Sequence, residues 1–425
     1  MDTETKLDIL MSLAADDHEG RPGSDVVLPP RLRNMRKAGA LRPFNLRDVR
    51  VGSSGPKAKL FRILMTNACS FNCHYCPMRR DRELPRTLLK PQEMVRIFLH
   101  VLARGWASGL FITTGIPAHP VKVMDDLITV LELLRERHAF RGYIHVKIVP
   151  GAETAQVDRI TALANRVSVN LEAPCGDSLT AIAPEKRIET TLVALRRAQQ
   201  RVVEGRAEER EGRPRDALLP QGAAGLTTQF VVGATPDTDH TIMGKTVELY
   251  AAGGVHHTHF SAFRPIRDTP LENARGAPPL REHRLYQADH LLRDYRFAYE
   301  ELVFGADGNL PLAHDPKVAW ALAHPEQFPL DAFTASYSAL LRVPGIGPLS
   351  ARRLVEQRRA STVRGLSDLQ KLGVAITRAQ GFLAWKGKRL GAERWKEQLS
   401  LWDVEEAQTL GMRNDVFEFS PGTFR

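Results

Sequence analysis

Between Leu60 and Ala262 the chain repeats one pattern six times, a short apolar strand followed by an amphipathic helix, and few architectures satisfy it. The strand segments are LFRILMT (60–66), GLFIT (109–113), YIHVKIV (143–149), RVSVNLE (166–172), LTTQFVVG (226–233) and HTHFSAF (257–263). Between them lie helical patterns such as PQEMVRIFLHVLARG, MDDLITVLELLRERH, IETTLVALRRAQQ and the stretch 238–252. Strands that are apolar almost throughout, alternating with helices, predict a parallel sheet covered on its faces and hence an α/β fold. Periodicity leaves an open doubly wound sheet and a partial barrel equally allowed.

The flanking segments divide the 425 residues further. Residues 1–56 hold one short helical pattern and then a Pro/Gly/Arg-rich stretch, read as an irregular arm. The mixed-charge run VEGRAEEREGRPRD (203–216) reads as a solvated loop, since such composition builds no core. Residues 57–303 form the body, 304–336 a Pro- and His-bearing linker, 337–395 a basic module and 396–425 a tail with little signal. The chain is 43 % hydrophobic and 25 % charged, and no apolar run approaches the roughly 18 residues of a membrane span. The start, MDTETKLDILMSLAADD, lacks the basic head and apolar core of a secretory signal, so a cytoplasmic location is expected.

Four cysteines are present, and three of them form Cys69-Ser-Phe-Asn-Cys73-His-Tyr-Cys76, directly after the first strand. Thiolates are soft ligands for iron–sulfur clusters or zinc. A structural zinc site wants four closed ligands, commonly as two C-x2-C hairpins. Here the spacings are three and two residues with no fourth cysteine nearby, which suits a cluster with three ligated irons and one open one. Zinc would need His74 or Cys175 as its fourth ligand, and inert buried thiols are the remaining alternative.

This C-x3-C-x-aromatic-C loop resembles the signature of the radical S-adenosylmethionine (radical SAM) superfamily, over roughly residues 57–265. The resemblance implies a partial (β/α)6 barrel and a [4Fe–4S] cluster on Cys69, Cys73 and Cys76. It also implies reductive cleavage of S-adenosylmethionine to methionine and a 5′-deoxyadenosyl radical. It carries further positions over, with Tyr75 preceding the last cysteine. Thr113, Thr114 and Gly115 match the methionine-binding turn, although the acidic residue usual there is absent. Asn170 and Glu172 match positions for the ribose and the methionine end, Gly233 lets backbone approach the adenine, and Phe263 completes the adenine pocket. Cys175, just past the fourth strand, could donate a hydrogen atom or could be an ordinary small residue.

The formal charge is +10, and 12 Lys/Arg against 3 Asp/Glu fall between Leu341 and Trp395, a net of +9. The other 370 residues therefore carry only about +1, the pattern of a polyanion-binding segment on a neutral body. Within it, Leu340 to Leu354 (LLRVPGIGPLSARRL) resembles a helix–hairpin–helix motif. Gly345 and Gly347 permit a tight hairpin, and Pro348 suits the first turn of a helix. The helix N-terminus then offers amide groups to phosphate, with Arg352 and Arg353 beside it. A degenerate second copy runs from Ser367 to Leu383. A helical docking or dimerisation element is the alternative for this segment, which is expected to be all-α.

Barrel and hairpin module together resemble a bacterial family of radical SAM enzymes assigned to DNA modification or repair. Strings such as TTQFVVGA (227–234), SAFRPI (261–266), HPEQFP (324–329) and LLRVPGIGP (340–348) carry the likeness. The resemblance implies DNA as partner, an electron donor, and association with a uracil-DNA-glycosylase-like protein. Two other readings stay open: a radical SAM enzyme acting on RNA, and a non-catalytic iron–sulfur redox sensor that binds DNA.

Overall fold

The structure, a computed structural model, describes residues 3–15, 46–50, 57–117, 119–212, 225–359, 363 and 365–390. Most of the expected arm and all of the expected tail therefore lie outside the described residues. The chain separates into two compact units, one of residues 1–237 with 245–282 and the other of 238–244 with 283–425.

The first unit begins with helix α1 (Thr3–Ala15) and strand β1 (Leu46–Arg50). Then follow β2 (Lys57–Leu64), α2 (Pro91–Ala103), β3 (Gly109–Thr113), α3 (Pro120–Glu132), β4 (Tyr143–Lys147) and α4 (Thr154–Leu163). After these come β5 (Arg166–Ser168), α5 (Gly176–Ile182), α6 (Ile188–Arg210), β6 (Gly225–Val232), α7 (Asp239–Ala251) and β7 (Val255–Ala262). The sheet order is β1 to β7 in sequence, with β1 antiparallel at the edge and β2 to β7 parallel. This order decides between the two architectures that periodicity allowed. A doubly wound sheet reverses its strand order partway, whereas here each crossover steps one strand the same way. With one crossover hand, all the covering helices fall on one face, as in a partial barrel. The six parallel strands form an open sheet, since β7 does not pair back to β2 among the described residues.

Burial follows from the side-chain period of two. Phe61, Ile63, Leu110, Ile112, Ile144, Val146 and Val167 point to the helix side and are all but sealed from solvent. Phe61 stacks on Phe98 of α2 with ring centroids 6.5 Å apart. Met94, Val95, Phe98 and Val101, at helical spacing, form the buried stripe of α2. Residues 203–210 depart from the loop expected over 203–216, because α6 continues to Arg210, while 213–216 lie outside the described residues. Glu, Arg and Ala are strong helix formers, and Arg201–Glu204 (2.7 Å) and Gln200–Glu204 (2.7 Å) tie successive turns, so a solvated helix needs no core.

The second unit takes in most of α8 (Pro279–Asp294), then α9 (Pro316–Ala323), β8 (Leu330–Asp331), α10 (Tyr337–Leu340), α11 (Pro348–Arg359), α12 (Leu366–Lys371), α13 (Ile376–Ala379), β9 (Leu383–Trp385) and β10 (Lys388–Arg389). The stretch read as a linker is folded: Asp315 caps α9 by accepting from the Lys317 and Val318 amides, and Val318, Ala319 and Trp320 are buried. Nor is this part all-helical, because β10, β9 and β8 form a small sheet. Gly345 has φ +83°, and a Cβ there would lie 2.6 Å from the Ala375 carbonyl oxygen, so both conformation and space require glycine. The Ala375 amide donates back to Gly345 at 2.9 Å, joining the turn before α11 to the turn before α13. Among the described residues no helix is long and apolar enough to cross a membrane.

Candidate metal centre

The cysteine loop leaves β2 and is fastened at several points. The Met65 amide donates to Thr113 (2.8 Å), and the Gly115 amide to Thr66 (2.7 Å). Ser70 donates through both its amide and its hydroxyl to the Ile116 carbonyl, at 2.7 and 2.9 Å. On the other flank, the His74 amide donates to Ile182 (2.7 Å) and the Asn72 amide to the Glu185 carboxylate (3.0 Å). A Cβ at Gly115 would stand 2.4 Å from the Ala68 carbonyl oxygen, so the chain passes next to Cys69 only because this residue is glycine.

Arg86, which sequence reasoning missed, gathers the loop together. Its guanidinium donates to the carbonyls of Asn67 (2.6 Å), Met78 (2.8 Å), Arg79 (2.5 Å), Arg82 (3.0 Å) and Arg80 (3.3 Å). Burial lowers its pKa, while the nearby Cys69 and Cys76 thiols act to raise it.

Cys73 is buried, and Cys69 and Cys76 are half-buried. Burial pushes the Cys73 thiol up to about 11, with the Lys186 charge working the other way. Cys76 is pushed up to about 12, by burial first and then by the neighbouring Cys73. Among the described residues no group of three or more His, Cys, Asp or Glu side chains converges closely enough to hold a single metal ion. A cluster makes a different demand, since each thiolate takes its own iron and the sulfurs stand apart. Three soft donors on one pinned loop, with Lys186 and Arg86 to offset thiolate charge, fit a [4Fe–4S] cluster with one iron left open.

Lys186 is the second residue that sequence reasoning missed. Its ammonium donates to Glu172 at 2.9 Å and lies 3.4 Å from the Tyr75 hydroxyl. Burial acts against its charge, but Glu172 and the thiols of Cys73 and Cys76 outweigh that and hold its pKa above the ordinary lysine value. Burial also raises the Tyr75 hydroxyl well above the usual tyrosine range, reinforced by Glu172. A lysine in the string APEKR gives no sign that it will fold back onto a cysteine loop more than a hundred residues earlier.

The other expected residues gather at the same end of the sheet. Cys73 packs in one apolar cluster with Ala173, Leu179, Val231 and Phe263, and Tyr75, Cys76, Ala234 and Ala277 lie against it. Thr113 ends β3; the Thr114 hydroxyl is spent on the Gly115 carbonyl at 2.7 Å. Asn170 and Glu172 lie past the end of β5 rather than inside it. The Asn170 amide donates to Gln229 at 3.2 Å, while its Oδ1 is buried without a hydrogen-bond partner among the described residues. Glu172 has φ +66°, uncommon for a residue with a Cβ, and is held there by bonds from its amide to Gln229 and to its carbonyl from Val231, both 2.8 Å. Its carboxylate is committed to Lys186, so it is not a free acceptor for a ribose. Gly233 has φ +84°, and a Cβ on it would lie 2.7 Å from Ala277. Cys175 is exposed just before α5, its thiol 3.2 Å from Ser178, whose hydroxyl donates to Asp237 at 2.9 Å. In the second unit Gly345 and Gly347 flank the turn into α11, whose Arg352 and Arg353 are exposed.

Among solved structures the chain is similar to methylornithine synthase (PylB), with 14 % identity, a TM-score of 0.43 and coverage of 55 % of this chain and 62 % of that one. It is also similar to the FeFe-hydrogenase maturase HydG from Carboxydothermus hydrogenoformans, with 16 % identity, TM-score 0.43 and coverage of 55 % and 51 %. A further HydG structure has 12 % identity, TM-score 0.42 and coverage of 83 % and 78 %. The chain thus spans about three-fifths and half the lengths of the first two. No curated protein matches it. Residues 63–205 match the family model described as the Radical SAM superfamily, whose members bind a [4Fe–4S] cluster and S-adenosylmethionine, and this stretch, with its cysteine loop, is a radical SAM domain.

Proposed function

We propose that the chain is a radical SAM enzyme that modifies or repairs DNA, with the first unit as catalyst and residues 337–395 as the DNA-binding module. The observation that carries the nucleic-acid part is α11. It opens on Pro348 after a glycine turn, presents Arg352 and Arg353 to solvent, and lies in the segment that holds nearly all the excess positive charge. A helix N-terminus with exposed arginines one turn on grips phosphate without reading bases, so it supplies affinity and register.

When bound, the cluster and S-adenosylmethionine supply one electron and a hydrogen-abstracting radical, from an electron donor that the cell provides. The chain supplies the rest. Cys69, Cys73 and Cys76 would hold three irons. The buried Asn170 Oδ1 suits a hydroxyl that donates to it, and the Lys186–Glu172 pair holds a fixed charge pattern beside the cysteines. Gly233 and Phe263 offer close backbone and an apolar wall to a base. Phe263, Tyr75 and Ala173 keep water from this end of the sheet. A base stacked in a duplex cannot enter, so the reaction would use an extruded or single-stranded nucleotide.

The test is incubation of the reconstituted, dithionite-reduced protein with S-adenosylmethionine and DNA under argon, followed by mass spectrometry of the nucleosides. A mass-shifted deoxynucleoside and released 5′-deoxyadenosine are expected. Change confined to structured RNA would move the target to RNA, and no 5′-deoxyadenosine at all would leave only the redox-sensor reading.

A further inference from the structure

Strands β9 and β10 of the second unit are joined by only two residues, Lys386 and Gly387, with φ +49° and +76°. Both central positions of so tight a hairpin need positive φ, and Asn-Gly meets that need best. Lysine is an uncommon choice there, since its Cβ crowds the backbone. The reason for lysine therefore lies in what its side chain reaches and not in the turn.

The Lys386 ammonium lies 5.4 Å from the centre of the Phe333 ring. Phe333 follows β8, is 36 % exposed, and meets the half-buried Trp385 edge-on, with ring centroids 5.6 Å apart and planes at 80°. Trp385 pairs with Lys388 across the hairpin, and directly opposed residues rise on one face of a sheet, so Lys388 flanks the rings as well. Asp331 fastens the arrangement. Its carboxylate accepts from the Phe333 amide at 2.8 Å and from the Gly387 amide at 2.7 Å, tying the aromatic turn to the hairpin tip. From Leu383 to Leu390 there are three basic residues and no acidic one. Lys386 and Lys388 are both exposed, and among the described residues neither makes an ion pair.

Two rings at a solvent edge, flanked by lysines, suit an unpaired nucleotide. Its base has a face that stacks on a ring, and its phosphates are anionic. A duplex offers the phosphates but keeps its bases stacked on one another. We propose that Phe333 and Trp385 form a stacking site for an unpaired base of single-stranded DNA, with Lys386 and Lys388 taking the adjoining phosphates. The assignment rests on the DNA reading of the second unit and adds to it the class of strand bound. Helix α11 grips phosphate without regard to bases, whereas the small sheet requires a base that is exposed. DNA with a gap, or with a nucleotide turned out of the duplex, satisfies both, and such a nucleotide is the kind that the proposed reaction would use.

Fluorescence anisotropy of the full-length protein tests this with labelled oligodeoxythymidine, an abasic strand of the same length, oligouridine and a blunt duplex. The wild type should bind oligodeoxythymidine about tenfold or more tighter than the abasic strand, the contribution expected of a stacked base. Trp385→Ala should remove most of that difference and leave duplex affinity unchanged. Phe333→Leu, which keeps apolar bulk without a ring, should do the same and stands in if Trp385→Ala fails to fold. Lys386→Asn should weaken both DNA strands several-fold yet keep or raise the melting temperature, because Asn suits the left-handed position. A lysine serving only the sheet would lower stability and leave binding alone. An Arg352→Ala, Arg353→Ala double variant should weaken duplex binding and preserve the advantage of bases over abasic sites. Equal binding of oligodeoxythymidine and the abasic strand by the wild type, or an undiminished preference in both aromatic variants, would overturn the proposal and leave the duplex-binding role of α11 standing. Tighter binding of oligouridine than of the DNA strand would overturn the assignment to DNA. Failure of every probe to bind would bring down this proposal together with the nucleic-acid reading of the second unit.

Discussion

The Lys186 ammonium donates to the Glu172 carboxylate at 2.9 Å, with the two side chains only 10 % and 8 % exposed, beside Cys73 and Cys76. A buried pair is costly to split, because removing one partner leaves the other charge without compensation. Lys186→Met and Glu172→Gln should each destabilise the fold by about 3–5 kcal/mol, and the double variant by markedly less than their sum. Urea unfolding of the four proteins measures the coupling. Additive losses would show that the pair contributes nothing as a pair.

Arg86 should matter for the cluster more than for the fold. Five carbonyls of the cysteine loop accept from its planar guanidinium, and an ammonium has only three N–H groups and no fork. Arg86→Lys keeps the charge and loses the geometry. The expected outcome is a protein with unchanged far-UV circular dichroism but iron content and cluster absorbance well below wild type after the same reconstitution. Full iron loading in Arg86→Lys would relegate the staple to a packing detail.

How much of this was legible in the sequence depends on the distance over which a residue acts. The six strands declare themselves through local apolar runs, and the cysteines through spacing on one loop. The sheet order is a property of crossovers, which no period encodes, and it emerged only in three dimensions. Asn170 and Glu172 look like strand residues because Val167, Val169 and Leu171 alternate with them. Yet β5 ends at Ser168, and Glu172 takes a left-handed conformation fixed by bonds to β6. Lys186 and Arg86 have no local signature, since each works by folding back onto Cys69–Cys76. The charged run after Val203 misled for the opposite reason: its polarity is local, but so is its helix propensity, and the second prevailed.

The second unit yields a prediction about nucleic acid. If Arg352 and Arg353 each neutralise one phosphate, replacing both by Ala should weaken duplex binding about equally for all sequences. It should also lower the slope of log K against log salt by about 2. Fluorescence anisotropy over a range of potassium chloride concentrations supplies both numbers. An unchanged slope would remove α11 from the interface.

Lys317 gives the second unit a pH dependence of its own. The side chain is buried, its ammonium donating to the Ile346 carbonyl at 2.6 Å and lying 4.5 Å from the centre of the Tyr295 ring. Burial drives its pKa well below the ordinary lysine value; Asp315 opposes this, and the charges of Arg378 and Arg342 add to it. Between that depressed value and the unfolded value of about 10.4, the unfolded chain binds a proton that the folded chain does not. Unfolding then takes up a proton, so stability rises with pH across the window, and below it the full penalty of the buried charge is present. The urea midpoint of the wild type should therefore gain on that of Lys317→Met as pH is raised from about 7 to about 9.5. Comparing the two proteins at each pH cancels the groups they share, including Tyr295, whose pKa burial raises to about 12. Parallel midpoint curves would mean that the Lys317 amine titrates no differently in the fold than in the unfolded chain, and that its hydrogen bond to Ile346 fully compensates its burial.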